Sequence, residues 1–126
     1  MSTIDLTGDA FEETITGNDI VIVDYWAEWC GPCKSFGPIF ESVSDKEEFS
    51  DIVFAKINTE VEQELAAHFQ IRSIPTLMVF REQVVLFANP GMLNESQLIE
   101  LIGQIRDVDM EKVHAEIKEK ENEQQS

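Results

Sequence analysis

The chain has 126 residues, 43% of them hydrophobic, with 25 acidic residues against nine basic ones and a formal net charge of −16. That length makes one ordinary domain, able to bury about two thirds of the surface its unfolded form exposes without help from a disulfide. Such a charge repels phosphate backbones and anionic lipid surfaces, so no nucleic acid and no membrane is expected as a partner, and no apolar run approaches the roughly 18 residues that a membrane span needs.

Residues 1–16 carry no basic start, apolar core or small-residue cleavage site, so the expected address is cytoplasmic. Ile4 to Leu6 reads as an edge strand and Asp9 to Ile15 as a first helix. Val21 to Tyr25, inside "DIVIVDYWA", is a nearly unbroken β-branched and apolar run, the pattern of a strand covered on both faces. A helix is predicted over Lys34 to Lys46. Its apolar residues Phe36, Phe40 and Val43 continue past Pro38, which implies one kinked helix rather than two. "DIVFAKIN", Asp51 to Asn58, is the next strand, and strand, helix, strand makes a βαβ unit with a parallel pair and a right-handed crossover. Val61, Leu65 and Phe69 then recur at helical spacing. Thr76 to Phe80 and Val84 to Ala88 predict an antiparallel hairpin, although its turn lacks the usual glycine. Leu98, Leu101, Ile102 and Ile105 form one face of a further helix, capped by Asn94 or Ser96. The order predicts an α/β fold: a central mixed sheet of about five strands flanked by about four helices.

Composition changes after residue 106, and the expected division is a domain over 1–106 and an acidic extension over 107–126. The extension holds seven acids, three lysines and no aromatic residue. Met110, Val113 and Ile117 make only a narrow helical stripe, and Glu116 and Lys120 a favourable i, i+4 pair. A segment this weak is expected to be a frayed helical tail, with a docking helix as the other reading.

Both cysteines lie in "WAEWCGPCKSFGP", residues 26–38. As a staple, Cys30 and Cys33 close so short a loop that the chain-entropy gain is only roughly 2 kcal/mol. As metal ligands they supply half a tetrahedral shell, and His68 and His114 are far from zinc-finger spacing, which leaves only a site shared between chains. As a redox pair they sit where a strand gives way to a helix, so Cys30 meets free backbone N–H groups and the positive end of the helix dipole. Cys33, one turn on, is spaced to attack the mixed disulfide, which makes the second step intramolecular.

The segment "VDYWAEWCGPCK" resembles the active-site segment of the thioredoxins, and the match continues through "FAKIN", "IRSIPTLMVF" and "PGM", covering roughly residues 3 to 106. The resemblance implies a thioredoxin fold and a cytoplasmic protein-disulfide reductase in which Cys30 attacks and Cys33 resolves. It implies a redox-active disulfide and no bound cofactor, with NADPH acting only through a separate thioredoxin reductase. The partners implied are disulfide-containing clients and that reductase, and the chain is expected to be a monomer. Asp24 interrupts the buried strand, where burial alone should raise its pKa; the resemblance makes it the general base for Cys33, with Lys56 close by. Pro75 follows Ile74 in "SIPT", which the residues alone read as trans; the resemblance makes that bond cis and places it opposite the cysteines. Trp29, Gly31, Pro32, Ile74, Gly91 and Met92 would line the docking surface around it. Met92, Pro90, Phe36, Gly37, the pair Thr59-Glu60 and the missing turn glycine depart from the family pattern. They bear on which partners dock. The alternatives are an interaction module that binds through its acidic surface and tail, a different class of function that would survive replacement of both cysteines, and a redox partner specialised for one client through Met92 and the tail.

Overall fold

In a computed structural model, which describes residues 2–125, the β-branched run becomes β2 (Ile20–Trp26), and Ile20 through Tyr25 are all buried. Burial on both faces and both edges requires neighbours on every side. β3 (Val53–Asn58) runs parallel to β2 on one edge and β4 (Thr76–Arg81) antiparallel on the other. β1 (Thr3–Asp5) and β5 (Val84–Pro90) complete a five-stranded mixed sheet of order β1-β3-β2-β4-β5.

Side chains alternate across the pleat, so β2 feeds two cores. Ile20 and Ile22 join Leu77 and Val79 of β4 under α2 (Gly31–Ser44) and α4 (Glu95–Asp107), which contribute Phe36, Phe40, Leu98 and Ile102. Val21, Val23 and Tyr25 face the other way. They pack with Ile15 of α1 (Gly8–Gly17), Leu65 of α3 (Gln63–His68) and Phe69. Asp24 follows the alternation onto the side covered by α2 and α4.

The elements are those read from the sequence, with shifted ends that have local causes. α2 starts three residues before Lys34 because Cys30 caps it and Pro32 fits the first turn, and it runs on through Pro38. β3 starts at Val53 rather than Asp51, since Ile52 N–H bonds back to Phe49 O (3.0 Å) after a 3₁₀ turn. α3 is shorter than Val61 to Phe69. The amides of Val61 and Glu62 close a turn on Asn58 O (3.2 and 2.8 Å), which leaves Val61 exposed. α4 is capped by Asn94, not Ser96, in a capping box with Gln97. The hairpin turn holds Glu82 and Gln83 at φ 50° and 68°, left-handed values that glycine or asparagine usually supplies.

The extension is helical, α5 (Met110–Gln125), and its beginning is docked rather than free. Met110 is buried. Arg81 Nη1 donates to the carbonyls of Ile105 (2.9 Å), Arg106 (3.2 Å) and Val108 (3.0 Å), which caps α4 and fixes the turn into α5. One turn further, His114 Nε2 lies 2.9 Å from Glu82 Oε1. Ile117 is exposed, as are the residues after it up to 124. Met1 and Ser126, the outer ends of the two expected segments, lie outside the described residues. Among the described residues no helix is long and apolar enough to cross a membrane.

Candidate active site

β2 ends at Trp26, and the chain turns through Ala27, whose carbonyl accepts from Cys30 N–H (3.2 Å). The turn sets Cys30 at the N-cap of α2 with its side chain facing the first helical amides. Cys33 N–H donates to Cys30 Sγ at 3.2 Å. The two residues are joined as a disulfide with Cα atoms 5.3 Å apart, and each is only 4% exposed. An N–H donor and the positive end of a 14-residue helix stabilise negative charge on that sulfur, so in the dithiol form Cys30 is the favoured thiolate.

Across from the pair, the Ile74-Pro75 bond is cis, against the reading of the residues alone and in line with the resemblance. Ile74 O lies 3.6 Å from Cys30 Sγ. Pro75 O accepts from Gly91 N–H (2.8 Å), which ties the end of β5 to this loop, and Gly91 adopts φ 102°, a conformation that needs glycine. Trp29 (70% exposed) and Met92 (41%) are large apolar side chains left in solvent, and Gly31 and Pro32 are also exposed. The Trp29 indole is not loose: Nε1 donates to Glu60 Oε1 at 2.5 Å. Glu60 is itself held by its own N–H to Asn58 Oδ1 (2.9 Å). The residues marked Thr59-Glu60 only as a departure; this contact spans 31 positions and has no periodic signal.

Asp24 is wholly buried, and among the described residues neither carboxylate oxygen has a hydrogen-bond partner. Desolvation raises its pKa from 3.8 to about 7, and the Lys56 charge pulls the other way. The parallel register of β2 and β3 sets Lys56 directly beside Asp24. Lys56 is therefore not a mere edge-of-strand charge. Its Nζ stands 5.0 Å from the centre of the Trp26 ring, in a groove of about 340 Å³ lined by Trp26, Cys33, Lys34, Gly37, Glu41 and Lys56. Tyr25, on the opposite face, is buried with its hydroxyl 3.7 Å from Met78 Sδ, and burial pushes its pKa up. His68 is exposed on α3 and His114 belongs to the α5 contact. Among the described residues no group of three His, Cys, Asp or Glu side chains is gathered in a way that could hold a metal ion.

This arrangement is a dithiol–disulfide couple, and comparison with known proteins gives the same result. The family model described as Thioredoxin matches residues 2–104. A relative from Streptomyces coelicolor carrying the thioredoxin 2 name is 49% identical over 120 residues, 95% of this chain and 88% of the relative. The thioredoxin of Porphyra purpurea is 41% identical over 103 residues, 78% of this chain and 95% of that one. Among solved structures, the thioredoxin of Malassezia sympodialis is similar with a TM-score of 0.74 at 30% identity, covering 82% of this chain and 93% of that chain. With its fold, its CGPC pair and these relatives in agreement, the chain belongs to the thioredoxin family and is a thiol–disulfide oxidoreductase of the reducing, dithiol type.

Proposed function

We propose that the chain reduces the disulfides of client proteins in two exchange steps, and that a separate thioredoxin reductase, supplied by NADPH, restores the dithiol. The observation that carries this reading is the Cys33 amide on Cys30 Sγ at the start of α2. It favours the Cys30 thiolate that attacks the client disulfide. In the first step Cys30 attacks one sulfur of the client disulfide; that S–S bond breaks, a mixed disulfide forms, and the other client sulfur departs as a thiolate that takes a proton from water. In the second, the Cys33 thiol gives its proton to Asp24, and the resulting thiolate attacks Cys30 Sγ and expels the remaining client thiolate. Two electrons have passed to the client, and Cys30 and Cys33 end as a disulfide.

Full burial and a pKa of about 7 suit Asp24 to accept a proton near neutral pH, and Lys56 stabilises its charged form. Trp29 and Met92 are exposed and the Ile74 carbonyl lies beside Cys30 Sγ, which supports docking of an extended client strand along the Ile74 backbone, with Gly31, Pro32, Pro75 and Gly91 shaping the contact. The chain acts as a monomer in the cytoplasm, with the redox unit in residues 1–106 and no bound cofactor. The test is insulin disulfide reduction in the presence of a thioredoxin reductase and NADPH. Turnover by the wild-type chain, none by Cys30→Ser, and a trapped mixed disulfide in Cys33→Ser are the expected results; wild-type turnover no greater than that of Cys30→Ser overturns the reading.

A further inference from the structure

We infer that Gly37 is a positioning residue for proton exchange at Asp24: its missing side chain keeps open the groove in which the Lys56 ammonium links the buried carboxylate to solvent. The inference rests on the reading of Asp24 as the base for Cys33. A base that takes a proton in each cycle must also release it, and Asp24 is 0% exposed with no hydrogen-bond partner among the described residues. Its in-register neighbours are Lys56 on β3 and Leu77 on β4. Leu77 is apolar and buried, and α4 presents the apolar Leu98 and Ile102 to the same side of the sheet. The charged and titratable groups that remain are Lys56 and, from α2, Cys33, Lys34 and Glu41 along the groove. Lys56 is the one whose charge acts on Asp24.

Nothing in the backbone explains a glycine at position 37. It lies inside α2, where glycine is among the least favourable residues, and it does not adopt a positive φ. A Cβ there would not collide either, because its nearest neighbour, Lys56 Nζ, would stand at 3.6 Å, an ordinary contact. Alanine would fit against the ammonium. A longer side chain would have to push Nζ aside or lie across the groove.

The experiment compares the full-length wild-type chain with Gly37→Ala, Gly37→Leu and Asp24→Asn, together with Lys56→Met alone and combined with Gly37→Leu. It reads the Asp24 midpoint by carboxyl ¹³C NMR and the pH profile of Cys33-dependent release from a preformed mixed disulfide. In Gly37→Leu both lost counter-charge and added desolvation act upward, so the Asp24 midpoint should rise by about half a pH unit or more, and release at pH 7 should slow about threefold. Gly37→Ala, which fits against the ammonium, should show less than half of that shift; if the leucine variant does not fold, Gly37→Met carries the test, with the same expected rise and with an unchanged midpoint overturning the role of Gly37. Adding Gly37→Leu to Lys56→Met should move the midpoint by less than half as much as in the wild-type background. An unchanged midpoint and release rate in Gly37→Leu, with the pH dependence abolished in Asp24→Asn, overturns the role of Gly37 and leaves Asp24 as the base. A release profile unchanged in Asp24→Asn overturns both.

Discussion

The two ends of the central strand differ in how their buried polar groups are met. At the Ile20 end, where β2 pairs with Arg81, one guanidinium nitrogen serves three backbone carbonyls and a histidine meets a carboxylate, while Arg81 Nε, without a hydrogen bond among the described residues, stands 3.9 Å from the Asp19 carboxylate. Four residues on, roughly 13 Å along the strand, Asp24 and then Tyr25 lead into the cysteine loop, and the carboxylate there has no hydrogen-bond partner among the described residues. A buried polar group without a partner costs stability, whereas a satisfied one roughly breaks even or contributes. The difference suggests a division of labour: one pole anchors chain segments, and the other keeps groups at energies from which protons and electrons can move.

The sharpest way to break this comparison is Asp24→Asn. The Asp24 carboxyl titrates at about 7 when folded against 3.8 ordinarily. Its contribution to stability is therefore fully present below pH 3.8 and is lost as pH rises through 7. Asp24→Asn should leave stability near that of the wild type at pH 3.5 and raise it above pH 7, by at most roughly 4 kcal/mol as read by unfolding at the two pH values, with slower client release. An equal gain at both pH values, or none at pH 8, would mean that the buried carboxylate is not the costly group. At the other pole, Arg81→Ala strips three carbonyls of their donor. A loss of about 2 to 3 kcal/mol is expected, together with faster amide exchange in α5 and unchanged insulin reduction by the correctly folded fraction. Lost turnover in that fraction would show that the poles are coupled. The smallest effect is expected from Glu60→Ala, which frees the Trp29 indole: about a fivefold rise in KM for protein clients, with kcat and melting temperature nearly constant, from one charge-assisted hydrogen bond at an exposed site. A change confined to kcat would place Glu60 with the proton chemistry instead.

The sheet was legible because burial leaves an imprint on composition. Val21 to Tyr25 could hardly be anything but a central strand, and Leu98 to Ile105 shows one helical face. The site was legible through a local signal, the cysteine pair at a strand-to-helix switch, and through family resemblance for Asp24, Lys56 and Pro75. What the residues hid were contacts between distant positions. Arg81 reads as a turn residue until α4 and α5 arrive at its guanidinium, and the extension reads as a weak helix because Met110 and His114 draw their partners from outside it. Glu82 and Gln83 carry left-handed backbone without the residue that announces it, and the cis bond before Pro75 has no signature in its own dipeptide.

The pairing of Asp24 with Lys56 has a consequence for folding fidelity. Side chains in a sheet alternate, so slipping β3 by one residue against β2 would turn Lys56 into the apolar layer formed by Val21, Val23, Tyr25 and Met78, and would carry Ala55 or Ile57 to the carboxylate. Either outcome strands a charge, an error far more costly than a mismatched valine. Asp24 and Lys56 thus serve as a register key for the parallel strands: a chain assembled one step out of phase would be unstable, and would be selected against before any client met it.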